Sequence, residues 1–291
     1  MRVGVVILHY RFWPGVSQTL EAVEAQSLAA VVVLVDNGSA EGDMEALLRA
    51  HPEVRVVAAP DNGGYAHGMN LGRRALPEVE AVLFLTHECL LAPDALAELA
   101  ARLEQAPDVG MVGPLLGWRS RPAEVWSGGG GLGRRTGRPF HHQQPALMAD
   151  WGSVPVRRRW LDGAALLVRT DVLDRVGGFD EGYFLYCEEV ELAVRTALAG
   201  WGVECVPAAR AWQEPGMAPP YLETRNLLRL LARSRGLRRY LLPALLDTAG
   251  SVLRGLSAAR GSSGRRVALL RWAGARDALL GRLDRDRSLA R

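Results

Sequence analysis

The stretch Val31-Val32-Val33-Leu34-Val35-Asp36-Asn37-Gly38-Ser39 is an unbroken apolar run that ends on two polar side chains and a turn-forming glycine. β-Branched residues without polar alternation suit a strand whose sheet is covered on both faces. Similar runs occupy Val3 to Leu8, Val54 to Ala58 and Ala81 to Leu85, separated by amphipathic stretches of helical period. This is the signature of a βαβ series, and it predicts an α/β fold built on a Rossmann-like, mostly parallel sheet flanked by helices. Ligands bind such sheets beyond the carboxyl ends of the strands. The polar residues collect there: His9 and Tyr10, Asp36 and Asn37, Asp61 and Asn62, and Thr86-His87-Glu88.

Further along, Pro93 and Asp94 open a helix reaching about Gln105, and Gly110 to Pro114 reads as a strand. Ser127 to Gly133 is glycine-dense, and Arg134 to Trp151 lacks any period, as in a mobile loop. Leu161 to Val168 reads as a strand, Asp171 to Val176 as a short helix, and Glu189 to Ala199 as a helix closed by Gly200. From Leu222 the pattern is helical and arginine-rich, with breaks at Pro243 and around Gly261 to Gly264.

All 35 basic residues are arginines, which excludes chemistry that requires a lysine, such as Schiff-base catalysis or a P-loop. His9-Tyr10-Arg11 follows the first strand where a dinucleotide enzyme carries its glycine fingerprint, so hydride transfer is not expected. Three scattered cysteines, Cys89, Cys187 and Cys205, form neither a disulfide framework nor a zinc site. They fit a reducing cytoplasm. The sequence shows neither a signal-peptide core nor a run of ~20 apolar residues, and nothing in it calls for a nucleic-acid partner.

Between Val176 and Leu192 an aromatic approach delivers adjacent carboxylates, Glu188 and Glu189, to the start of a helix. Free backbone N–H groups and the helix dipole hold a carboxylate there, while aromatic walls push its pKa upward. The same acids also suit plain helix capping. Gly177-Gly178-Phe179-Asp180-Glu181 followed by Phe184-Leu185-Tyr186-Cys187-Glu188-Glu189-Val190-Glu191-Leu192 resembles a signature of family 2 inverting glycosyltransferases, in their rhamnosyltransferase-like branch. The likeness runs from Val3 to about Arg229 and includes Asp36-Asn37-Gly38-Ser39, Asp61-Asn62-Gly63-Gly64-Tyr65, and Tyr221 with Arg225-Asn226.

That resemblance implies a GT-A domain over residues 1–230, with a nucleotide-sugar-binding half (1–115), an acceptor-binding half (116–230), and a helical appendage over 231–291. It implies a hexosyltransferase acting on a nucleoside-diphosphate sugar of UDP or dTDP type, with a polysaccharide, glycolipid or small-molecule acceptor. Glu189, or its neighbour Glu188, would be the general base. His9, Tyr10, Asp36, Asn37, Asp61, Asn62, Gly63 and His87 would line the donor site, Arg225 would clamp the diphosphate, and Trp160, Asp162 and Gly163 would form the acceptor side.

Thr86-His87-Glu88 stands where the family has Asp-x-Asp, so Glu88 is the candidate ligand for Mg²⁺ or Mn²⁺. Trp212-Gln213-Glu214 replaces a Trp-His pair. These departures leave a second reading open, a nucleotide-sugar-binding protein that has lost catalysis. The tail from Leu237 to Arg291 reads as amphipathic helices packed on the domain, with a peripheral anionic membrane leaflet and a second subunit as the open further partners.

Overall fold

The structure is a computed structural model that describes residues 1–11, 13–39, 44–142, 146–214, 216–257 and 262–283. The N-terminal half contains β1 (Val3–His9), α1 (Trp13–Glu24), β2 (Val31–Asp36), α2 (Met44–Ala50), β3 (Arg55–Ala58), α3 (Tyr65–Ala75), β4 (Ala81–Thr86), β5 (Leu90–Leu91), α4 (Ala95–Gln105) and β6 (Val109–Trp118). There follow β7 (Val125–Ser127), β8 (Gly130–Leu132), β9 (Pro139–His141), β10 (Val156–Arg157), β11 (Ala165–Arg169), α5 (Thr170–Val176), α6 (Glu188–Leu198) and β12 (Gly202–Gln213). Among the described residues three α-helices follow: α7 (Pro220–Arg233), α8 (Leu241–Ser257) and α9 (Ser262–Leu279).

The main sheet has the order β10-β12-β6-β11-β4-β1-β2-β3. Strand β1 lies parallel to β2 on one side and to β4 on the other, so the chain leaves it in both directions. A crevice opens at such a switch point. Side chains alternate across each strand: Val5 and Ile7 pack with Val16, Leu20, Leu96 and Leu99 of α1 and α4, whereas Val6 and Leu8 pack with Tyr65, Met69, Val190 and Leu192 of α3 and α6.

Several local expectations change. The strand expected at Gly110 to Pro114 extends to Trp118. The one expected from Leu161 begins only at Ala165, because Asp162 and Gly163 leave the ladder to face the crevice. The supposed loop after Ser127 contains a hairpin, β8 on β9 with Gly130 opposite His141. Pro243 does not break a helix, since it sits in the first turn of α8, where no backbone donor is needed. Gly264 lies within α9, and Gly261 falls outside the described residues. The boundary expected at residue 230 falls within α7, which carries Tyr221, whose hydroxyl donates to Asp277 Oδ2 of α9 at 3.0 Å.

Candidate active site

Beyond the carboxyl ends of the central strands lies a cavity of about 490 Å³. Tyr10, Asn37, Asn62, His87 and Glu88 line one side, and Trp160, Asp162, Gly163, Glu188 and Glu189 line the other. His9, Asp36, Asp61, Gly63 and Arg225 are not among the lining residues.

The turn that delivers the two glutamates is strained. Tyr186 and Cys187 both have φ of 71°, a left-handed conformation that costs non-glycine residues energy and persists only where surroundings enforce it. Asn226, fully buried on α7, supplies that enforcement: its Nδ2 donates to the Leu185 carbonyl at 2.9 Å and to the Tyr186 carbonyl at 2.7 Å. Arg225 Nε donates to Asn226 Oδ1 at 2.9 Å, which fixes which way the amide points. Arg225 itself is 1% exposed and packs over the Tyr221 ring. Its place is therefore behind the turn that precedes Glu188 and off the cavity lining, not at the cavity surface where the expected diphosphate contact would put it. On the other flank Tyr65 N–H donates to the Phe184 carbonyl at 2.8 Å. Gly64 permits that approach, having φ of 86° and a position where a Cβ would lie 2.1 Å from the same carbonyl oxygen.

Glu188 and Glu189 then begin α6, and their environments differ. Glu188 is 3% exposed, and burial, with Glu189 beside it, holds its carboxyl well above the usual range. Glu189 is half-buried and is lifted to about 7, chiefly by burial and further by Asp162, against the pull of helix N–H groups and His141. Gly163 faces it closely, a Cβ built there lying 3.6 Å from Glu189 Cβ. Tyr65 fixes that approach by donating its hydroxyl to the Gly163 carbonyl at 2.6 Å.

Asp162 is the hub of a network that sequence reasoning missed. It accepts from His141 Nε2 at 2.9 Å on one oxygen and from the Ser127 hydroxyl on the other, and Ser127 Oγ in turn accepts Gly129 N–H at 3.0 Å. Burial alone would lower the His141 imidazole, but the Asp162 carboxylate more than reverses this and holds it above its ordinary value. The ring lies against Trp126 and Trp160, with centroids 5.6 and 4.9 Å away. The one signal in the sequence is a tryptophan and a paired histidine bracketing a glycine run.

On the opposite side of the cavity the asparagines brace the loops after β2 and β3. Asn37 Nδ2 donates to Asn62 Oδ1 at 2.9 Å, and Gly63 N–H returns to Asn37 Oδ1 at 3.1 Å. Asp36 Oδ1 accepts Ser39 N–H at 3.0 Å. His9 is buried edge-on against His87, and burial drives it down to about 4, so it is a neutral spacer beneath the cavity floor. His87 donates Nδ1–H to the Leu8 carbonyl at 3.0 Å when neutral, the form that burial favours.

Glu88 Oε1 accepts from Gln213 Nε2 at 2.8 Å. The two departures from the family pattern thus touch each other. Among the described residues no three His, Cys, Asp or Glu side chains converge to hold a metal. The donor set fits a divalent ion shared between Glu88 and a substrate diphosphate, not one caged by the protein alone.

Residues 2–233 match the family model described as Glycosyltransferase like family 2. The chain belongs to glycosyltransferase family 2. This family-2 chain is 30% identical over 230 residues to an N-acetylglucosaminyl-diphospho-decaprenol L-rhamnosyltransferase of Mycobacterium tuberculosis, covering 70% of this chain and 73% of that protein. Among solved structures it resembles GalNAc-T7 with UDP, GalNAc and Mn²⁺, with a TM-score of 0.66 and 14% identity over 96% of this chain and 56% of the other. It also resembles the mannosyltransferase PcManGT of Pyrobaculum calidifontis in complex with GDP-Man and Mn²⁺, with a TM-score of 0.59 and 17% identity over 96% of this chain and 87% of the other. At those identities the structural likeness establishes the GT-A fold.

Proposed function

We propose that this family-2 chain is an inverting glycosyltransferase that uses Glu189 as general base. The observation that carries the reading is a half-buried carboxylate at a helix N-terminus, seated beside Asp162 and Gly163 on one wall of the cavity and lifted to about 7 by burial. A base works best when its pKa lies near the operating pH. Glu189 takes the proton of an acceptor hydroxyl, the hydroxyl oxygen bonds to the anomeric carbon, and the bond from that carbon to the diphosphate breaks on the opposite face. The leaving nucleoside diphosphate carries away the electron pair. Glu188, buried beside Glu189, is disfavoured from carrying a second negative charge by burial and by that neighbour. Asp162, fixed by Ser127 and His141, orients the acceptor side and tunes Glu189.

The donor is a UDP- or dTDP-sugar, and the acceptor a hydroxyl of a polysaccharide, glycolipid or secondary metabolite; likeness to a rhamnosyltransferase acting on a lipid diphosphate supports the surface-glycan end of that range. Proton NMR of the product anomer tests the class of reaction. Configuration opposite to the donor is expected, and retention would sink single displacement. Donor binding without turnover would favour instead the binding-protein reading that the altered metal motif raises.

The family resemblance gives Asp36, at the end of β2 beside the cavity-lining Asn37, the role of accepting the imide N–H of uracil or thymine. On that role Asp36→Ala is expected to weaken UDP or dTDP binding by ~1.5 to 3 kcal/mol in calorimetry, and unchanged affinity would rule out a contact of Asp36 with the base.

A divalent cation, when bound, would neutralise charge on the leaving diphosphate, and Glu88 would be its protein ligand. Because Glu88 already accepts from Gln213 and Thr86 offers only a neutral hydroxyl, the free protein should bind Mn²⁺ weakly in titration. EDTA is expected to slow transfer, with Mg²⁺ or Mn²⁺ restoring it. Full activity in EDTA would defeat the role given to Glu88.

A further inference from the structure

The helices α8 and α9 are apolar on two sides. Inward, Ala244, Val252 and Ala268 are buried, and α9 packs Leu270 and Ala273 behind Phe184, Leu185 and Tyr186, which line the cavity. Outward, Leu242, Leu246, Leu253 and Leu256 fall on one stripe of α8, the first three about 65% exposed. On α9 the outward stripe carries Leu269, Trp272 and Leu279 together with Arg265 and Arg276. A helix of this kind is apolar all round only when something covers its second face. No helix among the described residues is long and apolar enough to cross a membrane.

We infer that the outward face of α8 and α9 docks on an anionic phospholipid surface. Charge chooses the occupant. In the described part of this region Arg276 pairs with Asp277 at 2.7 Å and Arg271 with Glu223 at 3.9 Å, while Arg254, Arg265, Arg266 and Arg282 are exposed with Asp247 as the one further acid. A second copy meeting the same face would set arginine stripes against each other, since a two-fold interface opposes like patches. The leucine stripe of α8 also spans little more than two heptads, short of the three or four that mark a coiled coil. Phosphate headgroups pair with the exposed Arg254, Arg265, Arg266 and Arg282 while the leucines enter the acyl boundary and the Trp272 indole, beneath the Arg276 guanidinium, sits at the interface. The cavity wall stands directly behind α9 in that arrangement.

The test is flotation of the full chain with vesicles of phosphatidylcholine, with and without phosphatidylglycerol. Binding to the phosphatidylglycerol vesicles alone, declining with added salt, is expected. Leu246→Glu combined with Leu253→Glu should lower the bound partition by more than about tenfold, and Arg265→Gln or Arg266→Gln by about fivefold each. These side chains are exposed, so melting temperature and UDP affinity should not change. Absence of flotation, equal binding to neutral vesicles, or a concentration-dependent dimer abolished by the same leucine substitutions would each overturn the inference.

Discussion

Replacing Glu189 by Gln is expected to lower kcat by ~10²- to 10⁴-fold while donor affinity changes little, because a base acts on the acceptor and in the transition state. The amide keeps the shape and loses the proton acceptor. Glu188→Gln should cost far less, since its side chain is buried where the charged form is disfavoured, so the neutral amide is a close substitute. Stopped-flow or steady-state turnover paired with calorimetry of donor binding separates the two. Near-normal turnover in Glu189→Gln with loss in Glu188→Gln would exchange their roles, and indifference to both would refute the mechanism.

The second large effect is expected at Asn226, a residue outside the cavity lining. Asn226→Ala removes both donors that hold the Leu185 and Tyr186 carbonyls, and with them the restraint on two left-handed non-glycine residues. Glu188 and Glu189 follow immediately, so the relaxed turn moves the base. A misplacement of about 1 Å costs about 10²-fold in rate, and two orphaned buried carbonyls cost ~1 to 3 kcal/mol each in stability. Thermal melting and kcat should therefore fall together, with UDP affinity preserved. A variant that melts lower yet keeps full kcat would show that the turn does not depend on this anchor.

The parallel half of the sheet was legible because burial on both faces writes itself as plain apolar runs, as at Val31 to Val35 and Ala81 to Leu85. Helix α6 was legible from its aromatic approach and acidic first turn. Other parts hid for physical reasons. Strand β12 carries Glu204, Arg210 and Gln213, and Glu204 is buried only because Arg102 and Arg157 pair with it, a fact no local window contains. The β8–β9 hairpin is glycine-rich, with poor strand propensity, and its histidine reaches Asp162 across 21 positions. Arg225 has the chemistry of a phosphate clamp, and only the packing of α7 shows that it is buried against Asn226 and Tyr221. The Tyr186 and Cys187 backbone gives no compositional warning, since neither residue favours the left-handed region.

The pH dependence of kcat/KM bears most directly on Glu189. A base is active when deprotonated, so with its carboxyl lifted to about 7 activity must be low in acid and rise through that value as the proton is lost. The wild-type profile is predicted to climb from about pH 5 and level off by about pH 8 or 9, and this acidic limb should vanish in the residual activity of Glu189→Gln. A flat wild-type profile across that range, or a limb that survives in Glu189→Gln, would contradict the assignment of Glu189 as the base.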